Sequence, residues 1–340
     1  MLWRNELERL EDAEREQARK EAPWMTAANA TPAIATEGLT KYYGKSRGIV
    51  DVDLTVEAGQ IFGFLGPNGA GKSTTIRLLL DLIRPTRGTA QVLGLDVHRD
   101  RLAIDRRTSY IPGELALYGD MTGRQLLTYF GNLQGKVDAD YREQLIQRLE
   151  LDPTKKIKSL SRGNKQKVGL VSAFMIRPDL LILDEPTAGL DPFVQLEFEH
   201  LCEEARDEGR TVFISSHQLP EVEHLCDRVG IIREGRLLAV ELIADLKARA
   251  LRKLEIDFGG PVPEDAFANL SGVRDLVVDG DQLRCTVLGS VDALIKVAAR
   301  FDVRNIRSIE TSLEEIFLAY YGAGDGMAST AGKEAEHAAA

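Results

Sequence analysis

Between about Ile34 and Val240 the chain alternates short apolar runs with amphipathic stretches. Gln60-Ile-Phe-Gly-Phe-Leu65 is continuously apolar after its first residue and reads as a strand buried on both faces. A glycine-rich turn follows, and then an apolar helix over Ser73–Leu82, closed by Pro85 and Gly88. Residues 114 to about 176 carry no strand signal and read as helical. Strand patterns return at Leu180–Leu183, Thr211–Ser215 and Val229–Ile232, and the last turns back into Leu237–Val240 across Glu234-Gly235. Strands that alternate with helices predict a largely parallel sheet covered on both faces.

A different rhythm starts after Ala250. Strands are expected at Leu254–Phe258, Asp275–Val278 and Leu283–Val287, with helices around Asp265–Leu270 and Val291–Arg300. A capped amphipathic helix is expected at Ser312–Tyr320, with Ser312 and Glu315 forming a capping box over an apolar stripe of Leu313, Ile316, Phe317 and Tyr320. The tail from Gly322 is rich in Gly and Ala and is expected to be disordered. At the other end, residues 1 to about 24 alternate acids with Arg under a thin stripe of Trp3, Leu7 and Leu10. They read either as a docking helix ending before Pro23 or as a segment preceding a start at Met25.

Composition narrows the function classes. The 340 residues are 44% hydrophobic and 28% charged, an ordinary globular balance with room for two domains. Fifty-three acidic against 43 basic residues leave a net charge of −10, which disfavours a general nucleic-acid binder. No apolar run approaches the roughly 20 residues that span a bilayer, and the charged N-terminus is no signal peptide, so the chain reads as cytoplasmic. Cys202, Cys226 and Cys285 show no paired spacing, so neither a disulfide framework nor a zinc site is indicated.

The chemistry concentrates in two places. Gly66-Pro67-Asn68-Gly69-Ala70-Gly71-Lys72-Ser73-Thr74 fits the phosphate-binding loop pattern, strengthened by the strand before it and the helix after it. In such a loop backbone N–H groups converge on the β-phosphate, the helix directs its positive end there, Lys72 reaches the β- and γ-phosphates, and Ser73 ligates Mg²⁺. Leu180–Leu183 runs into Asp184 and Glu185. Acids often end buried parallel strands, but downstream of a phosphate loop Asp184 is expected to hold Mg²⁺ and Glu185 to deprotonate an attacking water.

Leu160-Ser161-Arg162-Gly163-Asn164 lies between these motifs, with Ala188-Gly189-Leu190-Asp191 and then His217 after them. In that order the motifs resemble the ATPase subunit of ABC transporters over roughly residues 33–245. The resemblance implies a phosphate-loop α/β fold with a mostly parallel sheet core, an antiparallel β subdomain and a helical subdomain (about 114–176), followed by a small α+β accessory domain (250–322). The flanks would be a charged extension (1–32) and a tail (323–340). It further implies that ATP and Mg²⁺ bind between two copies of the chain. Ser161, Arg162 and Gly163 of one copy would then face the γ-phosphate held by Lys72 of the other, with Asp191 beside the nucleotide and His217 on the phosphate. Tyr43 would stack on the adenine, with Tyr42 as its competitor.

Two positions depart from the family pattern. Gly113-Glu114 stands where a glutamine normally touches Mg²⁺, and Arg162 replaces a signature glycine. With Lys155, Lys156, Lys158, Lys165 and Lys167, Arg162 makes a basic run that reads equally as a phosphate-facing cluster or as a solvated helix face. The glycine-poor signature and the closing helix resemble the multidrug and antibiotic exporter branch. The implied function is ATP-driven export through a separate membrane-spanning subunit docked near residues 114–140, from the cytoplasmic face of the membrane. An importer ATPase and a soluble ABC ATPase acting on ribosomes or DNA are the alternatives.

Overall fold

The computed structural model describes residues 31–135, 137–249, 252–268, 270–287 and 290–310. The expected N-terminal helix, the closing helix at Ser312–Tyr320 and the tail from Gly322 lie outside the described residues. Two compact units divide between Glu241 and Leu242.

The first unit opens with β1 (Ile34–Tyr43), β2 (Ser46–Val56) and β3 (Ile61–Leu65), then α1 (Lys72–Leu79), β4 (Arg87–Val92), β5 (Leu95–Asp96), α2 (Arg101–Asp105) and β6 (Thr108–Ile111). The helical stretch comprises α3 (Gly123–Gln134), α4 (Ala139–Arg148) and α5 (Arg162–Phe174). It is followed by β7 (Leu180–Asp184), α6 (Pro192–Asp207), β8 (Thr211–Ser216), α7 (Leu219–Leu225), β9 (Arg228–Arg233) and β10 (Arg236–Leu242).

Six of these strands form one sheet in the order β10-β9-β3-β8-β7-β6. The pairings β9–β3, β3–β8, β8–β7 and β7–β6 are all parallel. Every residue of β3, β7 and β8 is buried, as their unbroken apolar runs require when both faces are covered. Phe62 and Phe213 stack across the β3–β8 pair with ring centroids 5.7 Å apart. The expected parallel sheet is therefore present, and all its register pairs bring the C-terminal ends of β3, β7 and β8 to one edge. A second sheet, β2-β1-β4-β5, is antiparallel and packs its apolar face (Ile34, Leu39, Val52, Leu54) into the same core as Phe62 and Phe64.

Local chemistry explains the helical stretch. Thr122 and Gln125 form a reciprocal capping box at α3, Asp138 accepts the N–H groups of Asp140 and Tyr141 at α4, and Ser161 caps α5. Arg148, at the end of α4, binds Glu204 through both terminal nitrogens at 2.8 and 2.7 Å, and Glu197 as well, so α4 is fastened to α6. The Arg148 hydrogen bonds hold the Glu204 carboxyl below its ordinary range. A carboxylate with a depressed folded pKa stabilises the fold above the unfolded carboxylate value, and that contribution is lost as pH falls through the folded value. Arg148→Ala should therefore cost about 1 kcal/mol at neutral pH, Glu204 being half exposed and screened, with the difference closing in acid. Thermal melts at pH 7 and pH 3 measure this.

The second unit comprises α8 (Ile243–Arg249), β11 (Arg252–Phe258), β12 (Val273–Asp279), β13 (Gln282–Val287), α9 (Asp292–Ala298) and β14 (Val303–Glu310), with an antiparallel sheet in the order β12-β13-β11-β14. Its core gathers Phe258 and Phe267, each fully buried, with Phe301 packed against both. One expectation fails here. The described residues of 265–270 make no α-helix, only a single 3₁₀ turn at Glu264–Ala266, after which Phe267 drops into the core. The edge strand β14 carries no strand signal in its mostly polar Val-Arg-Asn-Ile-Arg-Ser-Ile-Glu sequence.

Candidate active site

The phosphate loop joins β3 to α1. Gly71 sits at the N-cap with φ 114°, and a Cβ there would lie 2.7 Å from Ile49 Cγ2, so both conformation and packing require glycine. The loop is tied down on two sides: Gly66 N–H donates to the Ser216 carbonyl (3.2 Å) and Gly235 N–H to the Ala70 carbonyl (2.8 Å). Pro67, Asn68 and Gly69 form its exposed rim, while Thr74 is half-buried on the first turn of α1.

Lys72 is buried, and its Nζ donates to the carbonyls of Gly66 (2.6 Å) and Pro67 (3.3 Å). It also lies 3.6 Å from Glu185 Oε1. Burial lowers its pKa, while the carboxylates of Glu185 and Asp184 oppose that shift. Beside it, Ser73 Oγ donates to Asp184 Oδ2 at 2.8 Å, and Ser215 Oγ donates to Asp184 Oδ1. Burial, reinforced by Asp184, pushes the nearby Tyr110 phenol up to about 12. Ser215 escaped sequence reasoning, although the β7–β8 register sets it directly opposite Asp184.

Glu185 follows with φ 51°, a left-handed conformation that costs about 1–2 kcal/mol for a residue with a side chain. The bend turns its carboxylate out of the strand line, 3.3 Å from His217 Nδ1. Its own N–H donates to the Ser215 carbonyl at 3.0 Å. Gln166 Nε2 donates to the Pro186 carbonyl (2.8 Å), a contact between residues that no motif or spacing links. Strain held between such anchors is a frequent mark of a functional position.

Lys72, Ser73, Asp184, Glu185 and His217 are thus brought together. Ser161, Arg162, Gly163 and Asp191 form a second cluster. Ser161 Oγ accepts from the Asn164 N–H at the start of α5, and a Cβ on Gly163 would lie 2.4 Å from the Gly189 carbonyl, so backbone meets backbone there. Arg162 is exposed and lays its stem along Gly189. Asp191 caps α6 through the Val194 N–H (3.1 Å) and faces Lys167 at 3.7 Å. The basic run is not one helix face. Arg162, Lys165 and Lys167 lie on α5, while Lys155 and Lys158 precede it and pair with Asp152 and Asp120.

Tyr42 and Tyr43 are both exposed, so neither is a core residue. Tyr43 is the one turned towards α1. A Cβ on Gly48 would lie 3.0 Å from the edge of the Tyr43 ring and 3.2 Å from Thr74 Cγ2, and the Lys41 ammonium sits 5.4 Å from the ring centroid. At the family's glutamine position, a Cβ on Gly113 would sit 3.7 Å from Asp184 Oδ2, an ordinary contact, and Glu114 is exposed. Among the described residues no cluster of three or more His, Cys, Asp or Glu could hold a metal, and no helix is long and apolar enough to cross a membrane.

The ABC transporter family model matches residues 49–188, which include the phosphate loop, Ser161 and Glu185. The daunorubicin/doxorubicin resistance ATP-binding protein DrrA of Streptomyces peucetius is 34% identical over 316 residues, covering 86% of this chain and 93% of the relative. This chain belongs to the ABC transporter ATP-binding proteins. The bacitracin transport ATP-binding protein BcrA of Bacillus licheniformis is 36% identical over 303 residues, 86% of this chain and 98% of its own. A solved ATP-binding subunit of an ABC transporter superposes with a TM-score of 0.60 at 30% identity, covering 64% of this chain and 92% of the other. ABC ATP-binding subunits bind and hydrolyse ATP, dimerise and work with membrane permeases, and the ABC ATPase fold expected from the motifs is the one found.

Proposed function

We propose that this chain is the ATP-hydrolysing motor of an exporter for drug- or antibiotic-like cargo, acting as a homodimer on the cytoplasmic face of the membrane. The carrying observation is the Glu185–His217 pair (3.3 Å), set beside the buried Lys72 at the C-terminal ends of β3, β7 and β8. In this reading residues 33–245 are the ATPase and residues 250–322 an accessory domain.

Lys72 supplies a fixed positive charge to the β- and γ-phosphates, backed by the loop N–H groups and the start of α1. Glu185 accepts the proton of a water whose oxygen attacks the γ-phosphorus; the bond to the β-phosphate oxygen breaks and ADP departs. His217 orients Glu185 and contacts the γ-phosphate. Tyr43 stacks on the base, displacing the Lys41 ammonium from one ring face. Ser73 Oγ and the Asp184 carboxylate, 2.8 Å apart, are the hard oxygen donors Mg²⁺ prefers. When bound there, Mg²⁺ offsets negative charge on the phosphate oxygens. Ser161 and Asp191 make their contacts with Asn164, Val194 and Lys167 rather than with the Lys72 and Glu185 cluster, which supports a role across the dimer on the partner's nucleotide.

A cleft of about 430 Å³ opens at the helical region, lined among others by Tyr110, Pro112, Leu115, Leu117, Phe130 and Leu133. It is the seat we assign to the membrane-spanning subunit. The names of DrrA and BcrA, for daunorubicin/doxorubicin resistance and bacitracin transport, support export of such cargo. The test is concentration dependence. Specific ATPase activity should fall as the protein is diluted below its dimerisation range, and the chain should co-purify with a polytopic membrane protein. Undiminished activity from a monomer at every dilution would refute the two-copy site.

A further inference from the structure

Glu221 belongs to no motif singled out above, yet both of its carboxylate oxygens are used at the site. Thr187 Oγ1 donates to Oε1 at 2.8 Å, and Ser216 Oγ donates to Oε2. Thr187 lies two residues beyond Glu185, and Ser216 immediately precedes His217. The two hydroxyls are therefore anchors of the two separate loops that carry the 3.3 Å Glu185–His217 contact. Ser216 Oγ is held in turn by the Gln218 N–H at 3.0 Å, which fixes the turn around His217.

We propose that Glu221 is a positioning residue that holds Glu185 against His217 by clamping Thr187 and Ser216. The inference rests on the reading of Glu185 as the base. Burial pushes the Glu221 carboxyl above the ordinary range, against the pull of both hydroxyls. A half-buried carboxylate whose acceptors are satisfied from two loops costs desolvation that a plain surface glutamate at the start of α7 would avoid. The clamp also answers the strain at Glu185: at φ 51° the residue needs restraint on both flanks, which Ser215 gives on one side and Thr187–Glu221 on the other.

Losing the clamp should misplace the base by a fraction of an ångström while leaving the phosphate loop intact. In the full-length chain, Glu221→Ala is expected to lower kcat for ATP hydrolysis by about 10- to 100-fold. KM for ATP and the affinity for a fluorescent ATP analogue should change by less than about twofold, because the altered term is confined to the transition state. Glu221→Gln should recover part of kcat, since its amide oxygen still accepts one hydroxyl. Thr187→Val should slow the wild type but add little to Glu221→Ala, as members of one network do. If Glu221→Ala does not fold, Thr187→Val with Ser216→Ala removes the same two bonds from the other side. Wild-type kcat in either folded protein, or a loss expressed in nucleotide affinity instead, overturns the proposal. Glu185→Gln assayed alongside separates the two levels: if it keeps wild-type kcat, the assignment of the base itself falls, and the clamp with it.

Discussion

Glu185→Gln should bring hydrolysis almost to a stop while the protein still binds ATP. The amide is nearly isosteric, so it can occupy the same left-handed backbone position and keep its N–H on the Ser215 carbonyl (3.0 Å). It cannot take a proton from water. Loss of general-base assistance alone costs on the order of 10²- to 10⁴-fold in kcat. The substitution also removes a negative charge 3.6 Å from Lys72, at the place where the γ-phosphate brings further negative charge. Nucleotide affinity should therefore hold or rise, and ATP should trap the dimer, visible as a stable shift in size-exclusion elution. Continued turnover at the wild-type rate would remove Glu185 as the base.

The parts of this site that could be read from the sequence are those in which residue type and local spacing carry the chemistry. A buried strand, a glycine-rich loop and an apolar helix forced Lys72 and Ser73 to one end of the sheet, and a second buried strand ending in Asp184 and Glu185 had to arrive at the same edge. What the sequence concealed is the clamping between segments far apart in the chain. Gln166 reaches the Pro186 carbonyl, Ser215 reaches Asp184 across the sheet, and Glu221 joins Thr187 to Ser216. Those side chains sit at positions with no periodic or motif signal, because only the folded chain makes them neighbours, as the parallel register of β7 and β8 does for Asp184 and Ser215. The same limit explains the helix expected around Asp265–Leu270, where burial of Phe267 against Phe258 and Phe301 overrides the local pattern. It also explains β14, whose pairing with β11 is long-range and leaves its sequence free to be polar.

Lys72→Ala should abolish nucleotide binding with little effect on the fold. The ammonium is buried, and its hydrogen bonds go to two carbonyls of its own loop, at 2.6 and 3.3 Å, beside the Glu185 carboxylate at 3.6 Å. Truncation removes a charge whose burial opposes ionisation, so the desolvation it relieves offsets much of what the lost carbonyl contacts contributed. The melting temperature should move by only a few degrees. Binding has no such offset. Each charge-assisted contact to a phosphate oxygen is worth about 1.5–3 kcal/mol, and two of them correspond to a loss of roughly 100- to 10,000-fold in affinity. Lys72→Arg should not restore it, because a planar guanidinium cannot enter a slot shaped for a compact ammonium. Because burial depresses the Lys72 pKa, wild-type affinity should begin to decline on the alkaline side before an ordinary lysine, near 10.5, would titrate. Titration with a fluorescent ATP analogue between pH 7 and pH 10 measures both effects. Unchanged affinity in Lys72→Ala would mean that the loop after β3 does not hold the phosphates.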